Sequence, residues 1–205
     1  MPRKESHLND LASFLPGGCF DHVVNYLHRY KVHLTITRDR TTILGNYRNK
    51  IYDKTHRISV NGTLNKYSFL ITLLHELAHL LAFEKFGGNI QPHGKEWQKE
   101  YGNILCEFIP QKVFPPDVEK VLLQTLHSPS ASSCADTNLM RVLRKHDHKK
   151  EGFVFVEELQ EGSLFEIRAG RVFKRGSKVR TRFKCMELAN GKWWLFSGVY
   201  EVKRV

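Results

Sequence analysis

The sequence predicts an α+β protein in two parts: a small sheet with a long apolar helix and further helices, then a small β-rich appendage. Three observations carry that reading. Residues Lys66–Phe86 form an apolar run of helical length, bounded by Asn65 and by Gly87-Gly88. Shorter stretches before it and after residue 150 are apolar runs of strand length bounded by turn signals, several alternating with the two-residue period of strands. Between these regions the Ser/Ala-rich stretch His127–Thr137, HSPSASSCADT, marks a boundary. The expected parts are residues 1–127, a connecting stretch 128–150 with one short helix, and residues 151–205.

Taken in order, Phe20, Val23, Val24 and Leu27 recur at helical spacing and predict a helix from Cys19 to His28. The alternating VHLTIT beginning at Val32 predicts a strand. Two more strands are expected at Arg40–Tyr47 and Arg57–Val60, with Gly45-Asn46 and Asp53-Lys54 as turn signals and Asn61-Gly62 closing the sheet. Asn65 can cap the long helix, and Gly87-Gly88 ends it. Helices follow at Lys95–Glu107, Pro116–Leu126 and Asn138–His146, the last running into the polar stretch Lys145–Glu151. The appendage should hold strands at Phe153–Val156, Leu164–Ile167, Val179–Leu188 and Trp193–Phe196, with Asn190-Gly191 as a two-residue hairpin turn.

Composition bounds the partners. With 205 residues, 41% hydrophobic and 26% charged, neither a membrane protein nor a disordered chain is the default. The most apolar stretch, Phe69–Phe83, is 15 residues long and contains His75, Glu76 and His79, too short and too polar to span a bilayer. The N-terminal MPRKESHLNDLASF lacks the apolar run of a signal peptide, so a cytoplasmic protein without a membrane partner is expected. Four separated cysteines, Cys19, Cys106, Cys134 and Cys185, exclude a disulfide scaffold and fit a reducing compartment. Cys106 and Cys134 read as ordinary small residues, not nucleophiles. The net charge of +11 suggests a polyanionic partner. It is unevenly spread: residues 51–135 hold 8 basic and 8 acidic side chains, whereas residues 136–205 hold 16 and 9.

The chemistry concentrates in His75-Glu76-Leu77-Ala78-His79, an HExxH sequence. Two histidines four apart on a helix lie about 40° and one turn apart, so both imidazoles can face one metal. Zn²⁺ suits imidazole and leaves a coordination position open for water. Glu76 then stands beside the metal as general base and later as proton donor. Three ionisable groups on an otherwise apolar helix are costly unless something satisfies them, and a metal does so. A third ligand is needed. The extended motif with Gly and His at three and six residues beyond the second histidine is excluded, because those positions are Ala82 and Lys85. His93, between Pro92 and Gly94, leads the candidates, with Glu96 and Glu100 on the next helix as alternatives. The helix runs roughly 10 Å beyond His79, and the seven steps from Phe86 to His93 can reach up to roughly 23 Å, enough to return.

The stretch LLHELAHLLAFEKFGGNIQPHGKEWQ resembles the SprT-like metallopeptidases, including the Spartan type, in which HExxH is followed at this range by a third histidine and an aromatic residue. Those are His93 and Trp97 here. Leu44-Gly-Asn-Tyr-Arg and Arg57-Ile-Ser-Val-Asn also look like the family's strands before the active helix. The resemblance covers roughly residues 15–127. It implies a zincin-like fold, one Zn²⁺ per chain held by His75, His79 and His93, and Glu76 as general base. It further implies cleavage of protein substrates, in the Spartan type proteins bound or crosslinked to DNA. Many members of the family continue into a four-cysteine zinc ribbon; this chain keeps only Cys185 there, so a ribbon-like appendage without its metal is expected. Tyr47, Arg48 and Tyr101 are candidates for stabilising an oxyanion. The alternative reading is a DNA-binding or adaptor protein whose metal site is structural or vestigial.

Residues 171–184, RVFKRGSKVRTRFK, contain seven basic side chains and no acidic one. In a single strand from Lys178 to Cys185, Lys178, Arg180, Arg182 and Lys184 would share one face at a spacing of about 6.6 Å, matching a run of phosphates. With Lys174 and Arg175 they form the expected DNA contact. Trp193 and Trp194 would lie on opposite faces, one in the core and one free to stack on a base. His146 and His148, near Lys149-Lys150, read as part of a solvated linker.

Overall fold

The computed structural model describes residues 8–38, 40, 43–126, 136–147 and 151–205. The chain divides into two compact units, Met1–Asp147 and His148–Val205. No helix among the described residues is long and apolar enough to cross a membrane.

The first unit opens with the short helix α1 (Leu8–Leu11), then α2 (Phe20–Arg29), which packs against β1 (Val32–Thr37). Strand β2 (Gly45–Arg48), the short helix α3 (Lys50–Asp53) and β3 (His56–Asn61) follow. The sheet order is β1-β3-β2, with β3 in the middle. β1 runs parallel to β3 in the register Val32↔His56 to Thr37↔Asn61, and β2 runs antiparallel from Gly45↔Val60 to Arg48↔Arg57. Gly45 and Asn46, expected as a turn, thus open β2 instead. Residues 41–42 of the strand expected at Arg40–Tyr47 lie outside the described residues.

Helix α4 (Lys66–Phe86) has the predicted bounds, and each end has its own cause. The Asn65 side chain accepts from Ser68 N–H at 2.9 Å, satisfying a donor the helix cannot. At the other end Gly87 takes φ +80, where a side chain would be strained, and its N–H reaches Phe83 O. Eleven of its residues are buried, around nearly its whole circumference, because β2 and β3 cover one side and α5 (Lys95–Phe108) another. Helix α6 (Pro116–Thr125) follows and pairs with α7 (Thr137–Arg144). Leu139 and Leu143 of α7 belong to the core of the first unit, and Leu143 O accepts from Asn65 Nδ2 at 3.1 Å. His146 packs edge-on against Tyr67 at 4.9 Å between ring centres and lies 3.4 Å from Asp117. It is therefore part of this unit, not of a solvated linker. His148, Cys134 and the boundary stretch 127–135 lie outside the described residues.

The second unit is a six-stranded sheet of order β4-β9-β5-β6-β7-β8. Its strands are β4 (Phe153–Phe155), β5 (Leu164–Glu166), β6 (Val172–Val179), β7 (Arg182–Glu187), β8 (Trp193–Ser197) and β9 (Glu201–Arg204). Its own core contains Phe165, Phe173, Phe183, Cys185 and Val202. Three phenylalanines thus supply much of that core. The single strand expected through residues 178–185 is a hairpin. β6 and β7 meet at Arg180-Thr181 with Val179↔Arg182 the last pair, and Arg180 takes φ +53. At Asn190-Gly191 the connection is longer than a two-residue turn: Gly191 N–H reaches Glu187 O, and residues 188–192 separate β7 from β8. Arg171 forks onto Glu187 at 2.6 and 2.7 Å and holds its carboxyl down at about 2.

Candidate metal centre

Helix α4 projects His75 and His79 from one face, one turn apart. The chain leaves α4 at Gly87, turns through residues 88–92, and presents His93 just before α5. His93 sits in the left-handed region, φ +60, a conformation of order 1 kcal/mol or more for a residue with a side chain. The turn is fixed on both sides: Gly94 N–H donates to Gln91 O at 2.9 Å, and Gln98 Nε2 donates to His93 O at 3.2 Å. The result brings three Nε2 atoms together at 3.1 Å (His75–His93), 3.2 Å (His79–His75) and 3.0 Å (His79–His93). Among the described residues this is the one cluster of three potential metal ligands. The alternatives expected on α5 are elsewhere engaged: Glu100 is buried with Lys85 Nζ at 2.9 Å, and the cluster does not include Glu96.

Three imidazole nitrogens aimed at one point have too few protons to satisfy one another, so a cation at their centre is the natural partner. Tetrahedral zinc with Zn–N of about 2.0–2.1 Å spaces its imidazole nitrogens about 3.3–3.4 Å apart, close to the spacing here. The rings are held by their neighbours. Trp97, wholly buried, packs at 4.7, 5.4 and 4.7 Å from His75, His79 and His93, and its Nε1–H points at His75 O at 3.4 Å. Tyr101 stacks behind Trp97 at 5.0 Å. Burial, reinforced by the neighbouring imidazoles, lowers His75 to about 3 and, with His93, His79 to about 4; burial also lowers His93. All three are therefore neutral at pH 7, the form that binds a metal.

Glu76 lies beside the cluster and is 6% exposed. Burial raises its carboxyl to about 8, opposed by the charge of Arg40 and by the backbone N–H of Tyr47, which donates to it. Arg40 is itself fastened to Asn61 Oδ1 at 2.8 Å and Ser59 Oγ at 3.0 Å. Strand β2 comes so close that a Cβ on Gly45 would stand 2.5 Å from Glu76 Oε1. Gly45, Arg40 and the Tyr47 backbone were not among the residues the sequence singles out as shaping the base. Gly45 carried only the signal of a turn. Of the candidates for an oxyanion, the Tyr47 hydroxyl is engaged with His56 Nδ1 at 2.9 Å, Tyr101 is buried against Trp97, and Arg48 is exposed at the end of β2.

The basic residues of the appendage are divided by the hairpin. Buried Phe173, Phe183 and Cys185 define an inner face, so Lys174, Arg182 and Lys184 point outward, in register with Met186, Ser197 and Leu195. Arg175 faces inward, its guanidinium 4.5 Å from the centre of the Phe183 ring, and Lys178 lies 5.9 Å from the same ring. Arg180 occupies the turn. Neither tryptophan is buried: Trp193 is 54% exposed with Lys184 Nζ at 4.6 Å from its ring, and Trp194 donates to Glu187 Oε2 at 3.2 Å.

The class follows from the carboxylate. A metal that serves structure alone has no use for a buried carboxyl at its side, and three clustered histidines with an adjacent glutamate are the residues that a zinc-dependent metalloprotease active site requires. Within that class, residues 18–119 match the SprT-like family, and this part of the chain belongs to it. Protein SprT of Pseudomonas savastanoi pv. phaseolicola is 67% identical over 27 residues, 13% of this chain and 16% of that protein. Protein SprT of Pseudomonas fluorescens Pf-5 is 63% identical over 49 residues, 24% and 29% of the two chains. Protein SprT of Glaesserella parasuis serovar 5 is 34% identical over 80 residues, 37% and 51%. The chain thus aligns with about half of these relatives' length at most. No solved structure matches it.

Proposed function

We propose that the chain is a zinc-dependent endopeptidase that cleaves proteins bound or crosslinked to DNA, with one Zn²⁺ per chain on His75, His79 and His93. The observation that supports it most is the convergence of three Nε2 atoms within 3.0–3.2 Å beside the buried carboxyl of Glu76. Zinc, when bound, lowers the pKa of a water molecule and polarises the scissile carbonyl. The charge of a zinc ion held there would favour the ionised form of the Glu76 carboxyl, which then takes the proton of a water molecule and returns it to the departing amine. Gly45 and the Tyr47 N–H hold the carboxyl in place, and Trp97 holds the imidazoles. Protein substrate and DNA are the partners of this reading. The outward Lys174, Arg182 and Lys184, with exposed Trp193, supply a cationic and aromatic surface for DNA; exposed Lys178 and Arg180 contribute charge around it, whereas Arg175 faces inward with Glu161 at 3.8 Å and does not. Free thiols at Cys19, Cys106 and Cys185 suit a cytoplasmic setting.

Two measurements test the reading. Metal analysis should return one zinc per chain. Glu76→Gln should keep that zinc and lose cleavage of a DNA-crosslinked protein by about 10²-fold or more, the usual worth of a general base. Retained cleavage would remove Glu76 from its role. Absent cleavage by the wild type, with intact zinc and DNA binding, would favour an adaptor with a structural metal.

A further inference from the structure

Tyr47 meets the metal centre in two ways. Its backbone N–H donates to Glu76, and its ring lies parallel to that of His79, 2° apart in plane and 6.4 Å between centres. Its hydroxyl is turned to another purpose. It lies 2.9 Å from Nδ1 of His56, a residue only 2% exposed, whose Nε2 lies 3.2 Å from Glu84 Oε1. Lys50 Nζ stands 2.7 Å from the same oxygen.

The directions of these bonds can be assigned. Glu84, beside Lys50 and His56, has its carboxyl lowered and is an acceptor. His56 Nε2 therefore carries a hydrogen. Burial lowers His56 and keeps its ring neutral, so Nδ1 is the bare nitrogen. The Tyr47 hydroxyl must then donate to it. The chain runs Tyr47 Oη–H to His56 Nδ1, then His56 Nε2–H to Glu84, with Lys50 neutralising the end. It links β2, β3, the far end of α4 and α3, four elements that nothing local in the sequence connects. Phe83 closes the other side of His56, edge-on at 5.9 Å.

We infer that Tyr47, His56 and Glu84 act as a positioning relay that fixes the Tyr47 ring against His79, and so sets one metal ligand and the general base in mutual register. The relay rests on the metal-site reading above. It also removes Tyr47 as an oxyanion donor, because its one hydroxyl hydrogen is spent on His56. Tyr47, His56 and Glu84 are thus positioning residues, acting through His79 and Glu76.

The test compares Tyr47→Phe, Glu84→Gln and Glu84→Ala with the wild type. Zinc affinity is read by competition with a chromophoric chelator, and cleavage by kcat and KM. Loss of outer partners of a metal ligand commonly costs about 10- to 100-fold in affinity or activity. Tyr47→Phe removes only the hydroxyl and should weaken zinc binding by about tenfold and lower kcat with KM little changed. Glu84→Gln keeps an acceptor for His56 Nε2–H and should behave as wild type, whereas Glu84→Ala should resemble Tyr47→Phe. That rescue separates a hydrogen-bonded relay from bulk packing. Wild-type zinc affinity and turnover for Tyr47→Phe, or equal losses for Glu84→Gln and Glu84→Ala, would overturn the relay. A wild-type protein that fails to bind zinc would instead overturn the metal-site reading itself.

Discussion

At the scale of single residues, burial puts the Glu76 carboxyl and the clustered histidines into opposite relations with pH. In the metal-free protein the Glu76 carboxyl, at about 8 against an ordinary 4.5, keeps its proton in the folded state after the unfolded chain has lost it. The folded state binds more protons in that window, so the stability Glu76 contributes is full below about pH 4.5 and fades as pH rises through about 8. His75 and His79, at about 3 and about 4 against 6.5, act the other way: their contribution is full above about pH 6.5 and is lost as pH falls through about 4. Glu76→Gln isolates the carboxyl, because glutamine does not titrate. Chemical denaturation in the presence of a chelator, repeated from pH 5 to 8, should show the wild type losing stability relative to Glu76→Gln. The change should be on the order of a few kcal/mol, since each pKa unit is worth about 1.4 kcal/mol. A difference that stays constant across that range would mean that Glu76 is ionised in the folded apoprotein.

At the scale of elements, β2 confines the Glu76 carboxyl, and it does so by having no side chain at Gly45. A methyl group on Gly45 would meet Glu76 Oε1 at 2.5 Å, Thr72 Cγ2 at 2.7 Å and Glu76 Cγ at 2.9 Å. Gly45→Ala must therefore move either the carboxyl or the strand. All three contacts are to Glu76 and Thr72 and none is to a histidine of the cluster, so on the proposed mechanism zinc content should stay at the wild-type level while kcat falls by about tenfold or more, a part of the worth of a general base. Wild-type turnover by Gly45→Ala would show that the strand yields freely. The same strand shows where the sequence was readable and where it was not. Helix α4 was legible to the residue because Asn65 and Gly87 are local signals, and His93 was legible from chain reach and its Pro-His-Gly setting. Gly45 carries only a turn signal in the sequence, because the reason for a glycine there lies in Glu76, on another element. The hairpin at Arg180-Thr181 has no sequence signal, because neither residue is a usual turn former, although Arg180 takes φ +53 in the turn. His56 and Glu84 left no signal, since a relay drawn from four elements has no sequence spacing.

At the scale of the whole molecule, charge and chemistry are assigned to different stretches. Residues 51–135, which carry the histidine cluster, hold 8 basic and 8 acidic side chains, whereas residues 136–205 hold 16 and 9. Each unit has its own hydrophobic core, and Lys174, Lys184 and Trp193 lie on the surface of the second. The second unit therefore can be altered in charge as a test of targeting. Lys174 and Lys184 share the outer face with Trp193, Leu195 and Met186, a patch where cations sit beside an exposed ring. Backbone phosphates would meet the cations, and an unstacked base could lie on the indole. For a single strand the logarithm of the binding constant should fall with the logarithm of salt concentration by about 0.7 per phosphate neutralised. Lys174→Glu with Lys184→Glu should lower affinity for a labelled single-stranded oligonucleotide and make that slope shallower by roughly 1.4, the share of two contacts. Trp193→Ala should cost about 1–3 kcal/mol of affinity with the slope unchanged, because stacking releases no counterions. Zinc content should be the same in all of them. Equal affinity and equal slope for wild type and the double variant would move DNA recognition away from this face.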